Sequence, residues 1–576
     1  MATIIKKIKK GKPYWYAVES QRVNGKPRIV WQKYLGKVED VVSSIKNTER
    51  GIIKEVEVKE FGAVAALLNI ANEINLVELI NETIPKRNQG ANIGQYILLA
   101  ALNRAIAPSS KLQIGEWYEK TILQRLWKLP SSVFSSQRFW DAMDAIREED
   151  IRSIEKKLIE KVVNRESIAL DTLLYDTTNF TTYISSVNSR NSIAQRGRSK
   201  KRRSDLRIVG VAMIVSKDFG IPLLHETYSG NLQDTSIFKE NILHLIERCE
   251  SLQKTKGTEI TLIFDNGNRG EECFDLLNHS KVGFITSIQR DQYPELLEIP
   301  GNKFTLLKDP NLLGVKAYRC HKATCYSEKS TIIVTMSDSY YGRESSALFD
   351  DITKAMEKIK IEARSFNEKE KSSDKIIPKN IQFRIEKILN AHSLFVKTGS
   401  LKYKRKEAVI DVHIDRSKPK AVVQYSINHD VLNKRLTSYC GKKVFLTNRD
   451  NWTTEEIIKG YRGQSVIEDK FRDMNNRDFL RWQPAFHWTD QKIKVHTFYC
   501  FLALLLESLA RRKTTASGIN LSMHDFLKTL TDIKEVLLLQ SSPDRASPPK
   551  IKRVYTKLDL TQKSLLSILN IEAFQI

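Results

Sequence analysis

A chain of 576 residues exceeds what one hydrophobic core usually holds, so several domains, or one core carrying a large insertion, are expected. Hydrophobic residues at 41% and aromatic residues at 9% exclude general disorder. Ninety-three Lys and Arg against 68 Asp and Glu leave a net charge of +25, which draws polyanions, nucleic acid foremost.

Residues 1–37 hold ten Lys or Arg, Lys6, Lys7, Lys9 and Lys10 among them, and one acid, Glu19. No apolar run follows Met1–Lys12, so no signal peptide is expected. Short β-rich runs at Tyr14–Val18 and Arg28–Trp31 flank Asn24-Gly25, a hairpin signal that makes residues 1–50 a basic β module. Residues 55–165 turn helical, with Ala63, Ala66, Leu67 and Ile70, then Ile93, Tyr96, Ile97 and Ala100, at helical spacing. This region is expected to bind DNA or support assembly.

From 166 the texture becomes α/β. A strand ends in Leu173-Leu174-Tyr175-Asp176; further strands are read at Arg207–Val215, Ile221–Tyr228, Glu259–Phe264 and Val282–Ser287. Helices at Asp234–Glu250 and Glu271–Leu277 separate the later strands, which indicates an α/β domain over 166–289 with a mixed sheet. Residues 290–445 interrupt it with strands at Thr331–Thr335, Val409–Ile414 and Ala421–Ile427, and are expected to form a mostly β insertion. A charged stretch at Glu368–Lys379 is read as solvated. Helical texture resumes over 446–512 with a break near Pro484, and 513–576 is expected to be a helical tail. Val495–Ala510 is too short and too polar for a membrane span and is read as a buried helix, so no membrane partner is expected.

Six scattered cysteines form no disulfide framework and suggest a reducing cytoplasm. Cys320, His321 and Cys325 lack a second ligand pair at zinc-finger spacing and are not read as a metal site.

Three acids stand out. Asp176 follows an apolar strand; Asp265 follows Ile260–Phe264 and opens into Asn266-Gly267-Asn268; Glu468 lies in Tyr461–Glu468. Carboxylates at the C-terminal ends of neighbouring strands converge where open α/β sheets bind ligands. On one helix, Tyr461, Gln464, Glu468 and Arg472 share a face, with Val466 and Ile467 turned to the core. Three carboxylates suit two divalent ions about 4 Å apart that activate an attacking oxygen and stabilise a leaving one. Asp171 competes with Asp176 but precedes the apolar Leu173-Leu174.

Several segments resemble the insertion-sequence transposases with a ribonuclease-H-like DDE catalytic domain. They are Leu174–Thr178; Gly197-Arg198-Ser199-Lys200 with Asp205; Gly220-Ile221-Pro222 with Gly230-Asn231; Phe264–Asn268; Tyr461–Arg472; Trp482-Gln483-Pro484; and His487-Trp488. They occur in consistent order over roughly 170–510. The resemblance implies an Asp176, Asp265, Glu468 metal triad holding two Mg²⁺ or Mn²⁺ ions. It implies a ribonuclease-H-like core with an insertion before the Glu helix, since 265 − 176 = 89 whereas 468 − 265 = 203. The family has Arg where Gln464 stands and Lys where Asn475 stands, with Arg462 and Arg472 as neighbouring substitutes.

The same resemblance implies that transposon ends and target DNA are cut and joined by a homodimer on the nucleoid. Tyr461, Arg462, Gln464, Arg472, Arg198, Lys200, Lys201, Lys6, Lys7, Lys9 and Lys10 are the expected DNA contacts. A metal-dependent nuclease without strand transfer, or a non-catalytic DNA-binding descendant, are the alternatives.

Overall fold

The computed structural model describes residues 2–9, 12–23, 26–36, 53–84, 90–185, 187–197, 205–232, 234–265, 271–290, 293–325, 328–370, 378–398, 405–415, 422–540 and 550–574. Two units are distinguished. The first comprises Met1–Ile70, Lys111–Ser136 and Lys513–Ile576; the second comprises Ala71–Ser110 and Gln137–Arg512.

In the first unit, strands Ala2–Lys9, Lys12–Val23 and Lys26–Gly36 form an antiparallel sheet. Val23 pairs with Lys26, so the expected hairpin closes around residues 24 and 25, which themselves lie outside the described residues. The helical tail expected at 513–576 is corrected. Strands Lys534–Gln540 and Lys550–Tyr555 pair there, and the former also pairs with Ile53–Glu60. The unit's core gathers Phe61, Tyr118, Phe134, Leu527, Leu530 and Ile533, with the Phe61 and Tyr555 rings 4.8 Å apart.

In the second unit a nine-stranded mixed sheet dominates. Its strands are β1 (Thr172–Thr181), β2 (Ile208–Ser216), β3 (Pro222–Ser229), β4 (Thr261–Phe264), β5 (Gly283–Ile288), β6 (Thr305–Leu306), β7 (Val315–Cys325), β8 (Glu328–Ser337) and β9 (Lys442–Thr447). The spatial order is β6-β7-β8-β9-β5-β4-β1-β2-β3. The β2 strand is antiparallel to both of its neighbours, β1 and β3, whereas β4 runs parallel to β1 and β5 parallel to β4. Parallel neighbours need a crossover. Helix α1 (Glu148–Glu166) precedes β1, α2 (Asp234–Lys256) precedes β4, and α3 (Glu271–His279) precedes β5. All four residues of β4 are buried, as expected for a strand covered on both faces.

The first core strand was expected to end at Asp176. It continues to Thr181 because Thr177, Thr178, Thr181 and the following Thr182 are buried, pairing with β2 despite their polar character. At this level Asp176 is where the neighbouring β4 stops.

The mostly β character expected for 290–445 is also corrected. Its longest element is helix α4 (Asp338–Glu370), which buries Leu348, Ile352, Ala355, Ile359, Ala363 and Phe366 at helical spacing. That stripe packs against α5 (Pro378–Ala391), which presents Ile381, Ile385 and Leu389. After β5 the chain adds β6, β7 and β8 to the far side of the sheet, and β9 then fills the place between β8 and β5.

The region 454–512 forms three helices: α6 (Thr454–Arg462), α7 (Ser465–Asp473) and α8 (Asp490–Ala516). The last is long and apolar enough to cross a membrane, which corrects the reading of Val495–Ala510 as too short and too polar; almost all of its apolar stretch is buried, as that reading expected.

Candidate active site

Strand register places the first two acids. Thr172 pairs with Thr261 and Tyr175 with Phe264, so the next rung holds Asp176 and Asp265 at the C-terminal end of the parallel pair. Tyr175 and Phe264 both meet Phe238 of α2, with ring centroids 5.3 and 4.7 Å away. Side chains alternate along a strand, so Asp176 and Asp265 belong to the opposite face. That is the face of α6 and α7: Gly460 lies against Ile263 and Ile285, and α7 packs on β1. Asp171, the competitor, precedes β1 and is exposed, accepting from the Thr172 hydroxyl at 2.8 Å. It lies about 16 Å from Asp176 at about 3.3 Å per strand residue, at the wrong end of the parallel pair.

Tyr461 ties the site together. Its hydroxyl donates to Asp265 Oδ1 at 2.8 Å and lies 2.9 Å from Ser287 Oγ, while its ring packs edge-on to Phe445 at 4.9 Å. Burial, then the Asp265 and Glu468 charges, push the phenol well above its usual value, against a pull from Ser287. Tyr461 therefore remains a proton donor at any physiological pH.

The face proposed for Tyr461, Gln464, Glu468 and Arg472 is corrected, because no single helix carries it. Helix α6 stops at Arg462, and Gln464 caps a new helix. In α7, Ile467, Lys470 and Phe471 point inward, while Val466 is only half-buried. Lys470 is buried and donates to Ser508 Oγ at 2.8 Å, with Glu507 at 3.6 Å. That anchor leaves Glu468 exposed at the helix edge, over the strand that holds Asp176. Arg472 pairs outward with Asp469 at 2.6 Å, and Arg462 donates to the Asn311 carbonyl at 2.8 Å. Among the described residues, no three His, Cys, Asp or Glu side chains lie close enough together to hold one metal ion.

A cleft of about 600 Å³ opens beside Asp265, Ser287 and Tyr461. Its other lining includes Arg290, Lys406, Arg435, Lys443, Tyr340 and Tyr439, cations and rings that the sequence reading did not single out. Arg290 is pinned by Glu344 at 2.7 and 2.9 Å and by the Lys442 carbonyl at 3.0 Å. Burial lowers the Lys443 ammonium below its usual value, with Asp265 pulling the other way. Burial also lowers Arg435, assisted by the neighbouring Arg290 charge. An anion entering here would relieve this crowding of positive charge.

The remaining expected DNA contacts fall in the first unit or outside the described residues. Lys6 is exposed on the first strand of the other unit; Lys7 donates to Gln32 Oε1 at 2.9 Å and lies over the Tyr16 ring at 4.9 Å. Lys9 ends that strand. Lys10, Arg198, Lys200 and Lys201 lie outside the described residues.

No family model matches this sequence. No curated protein matches it either. Among solved structures, the chain is similar to piggyBac transposase in its synaptic complex with hairpin DNA, determined by cryo-electron microscopy. The match has 9% identity, covers 83% of this chain and 82% of that one, and has a TM-score of 0.36, too low to carry an argument about fold or function.

Proposed function

We propose that this chain is a DDE-type DNA transposase that binds the ends of its element, cuts them and joins the 3′ ends to target DNA. The observation that supports this reading is the register of β1 and β4, whose last pair, Tyr175 and Phe264, immediately precedes Asp176 and Asp265, with α7, the helix of Glu468, packed on β1. The strand order β3-β2-β1-β4-β5, three antiparallel strands followed by two parallel ones, supports a ribonuclease-H-like core.

The donors fit a hard divalent cation: all three are carboxylates, and Asp265 and Glu468 are exposed. Asp176, Asp265 and Glu468 are the residues that would hold Mg²⁺ or Mn²⁺. Such ions supply a lowered pKa for bound water and charge neutralisation at the scissile phosphate. The protein's own residues do the rest. Tyr461 fixes the Asp265 carboxylate, and Arg435 and Lys443 draw the DNA backbone into the cleft. Two copies of the chain, each holding one DNA end, complete the reading.

The test is joining of a labelled 3′ end to a plasmid in Mg²⁺. The unchanged protein should join; Asp176→Asn, Asp265→Asn and Glu468→Gln should each abolish cleavage while DNA binding stays within a fewfold, because the lost ligand acts in the transition state. Near-normal cleavage by any one variant removes that residue from the site. Cleavage without joining leaves a nuclease, and binding without either leaves a DNA-binding protein.

A further inference from the structure

Beyond α7 the chain crosses residues 482–489 without helix or strand, yet it is tightly held. Trp482 is buried and stacks on Phe180, with centroids 4.8 Å apart and planes at 16°. Arg104 donates to the carbonyls of Gln483 at 3.0 Å and Arg481 at 3.3 Å. Gln483 Nε2 donates to the Thr181 carbonyl at 3.0 Å, and the Tyr183 N–H donates to the Ala485 carbonyl at 3.0 Å. The segment is thereby fastened to the end of β1. Burial alternates along it: Ala485 and His487 are buried, Phe486 and Trp488 exposed.

A third exposed ring lies against Phe486. Tyr183 lies 5.6 Å from Phe486, and the exposures are 47% for Tyr183, 51% for Phe486 and 61% for Trp488. The Trp488 carbonyl accepts from Asn188 Nδ2 at 3.0 Å, which ties in the loop 182–197, where Arg190 and Arg196 are exposed. One exposed ring needs no explanation, but an exposed ring pair with a third exposed ring two residues along the same held segment marks a contact surface. Exposed rings, with exposed arginines in the loop tied to them, suit a partner that is both anionic and planar, and the chain's net charge of +25 favours a polyanion. Unpaired nucleic acid combines both features, its bases stacking on rings while its phosphates meet cations.

We propose that Tyr183, Phe486 and Trp488 form a stacking platform for unpaired bases of a DNA strand, with Arg190 and Arg196 meeting its phosphates. This rests on the reading of the chain as a DNA-cutting enzyme and adds where the opened strand goes. Tyr183 lies seven residues beyond Asp176 on the same run of chain, about 23 Å at about 3.3 Å per residue, a reach of several nucleotides.

The experiment uses the full chain and a fluorescent oligothymidylate in metal-free buffer, so that no cleavage intervenes. The double variant Phe486→Ala, Trp488→Ala should bind it about tenfold or more weakly, with Trp488→Phe close to the unchanged protein, since stacking on an aromatic ring tolerates that exchange. A 5-iododeoxyuridine oligonucleotide should photo-crosslink to Trp488 or Phe486. Unchanged oligothymidylate affinity in the double variant overturns the proposal. So does loss of a dimer in light scattering with oligonucleotide binding retained, which would make the surface a contact between copies. If stacking holds but the unchanged protein joins no ends, the transposase reading fails alone. If end joining depends on Asp265 but the double variant binds normally, the platform fails alone.

Discussion

Removing one oxygen atom tests the reading of the site. In Tyr461→Phe the ring keeps its edge-on packing against Phe445, and only the hydroxyl 2.8 Å from Asp265 Oδ1 and 2.9 Å from Ser287 Oγ is lost. A hydrogen bond to a charged acceptor contributes about 1.5–3 kcal/mol. Asp265 is exposed, so the lower end applies, which is about tenfold in rate at about 1.4 kcal/mol per factor of ten. Cleavage of a labelled DNA end should therefore fall about tenfold, with the Mg²⁺ requirement shifted upward because Asp265 is no longer held in place. Burial and the Asp265 charge keep the phenol protonated, so the ratio of unchanged to variant rates should stay flat across about pH 6 to 9. Equal rates and equal Mg²⁺ midpoints would refute the positioning role. A ratio that varies with pH would show instead that Tyr461 itself exchanges a proton.

Two further outcomes follow from the charges around the site. Arg435→Ala with Lys443→Ala should weaken DNA binding and reduce the slope of log affinity against log salt by about two, one for each lost phosphate contact; an unchanged slope would place the DNA elsewhere. Burial raises the Asp473 carboxyl from 3.8 to about 6, so the folded state holds its proton more tightly and this group's contribution to stability is lost as pH rises through about 6. Asp473→Asn should accordingly raise Tm at pH 7, by the equivalent of about 2 kcal/mol once partial solvent contact is allowed for. That advantage should shrink as pH falls and vanish only below about pH 3, where both states are protonated; a Tm gain that persists there would refute it.

Much of the core sheet was legible. Ile208–Ser216 and Thr261–Phe264 are unbroken apolar runs whose physical reason, burial on both faces, is written in their composition. The end of β1 was not legible, because Thr177–Thr182 look polar and become buried only by pairing with β2. The strand Ile53–Glu60 was missed because Val56 and Val58 alternate with charged residues and stay exposed, so nothing in the segment signals a core. Asp176 and Asp265 were singled out by their strand context, and the β1–β4 register sets them one residue beyond its last pair. The cations of the cleft were not, since Arg290, Lys406, Arg435 and Lys443 stand alone in sequence and are collected only by the return of β9 beside β5. The break at Gly463 was hidden as well, because the residues on either side of it keep helical spacing.

The long gap between Asp265 and Glu468 is compatible with one site because distance along the chain does not set distance in space here. The excursion that leaves β5 at Ile288 returns at Lys442 as an antiparallel neighbour of that same strand, with Val444 opposite Ile288. Arg449 then locks the returned chain to the start of β4, donating to Thr261 Oγ1 at 2.9 Å, the Ile260 carbonyl at 2.7 Å and Glu259 at 2.6 Å. Its guanidinium fills the space where any side chain at Gly283 would sit, since a Cβ there would lie 1.9 Å from Nε. Arg319 of β7 holds the next turn through the carbonyls of Trp452 at 2.6 Å and Asp450 at 2.9 Å. Helix α6 begins two residues after Trp452, and α7 follows across Gly463. The position of Glu468 over the sheet is thus set by β9 pairing and the Arg449 lock. Loop-closure entropy grows only slowly with length, so the intervening excursion can be long without moving the acid.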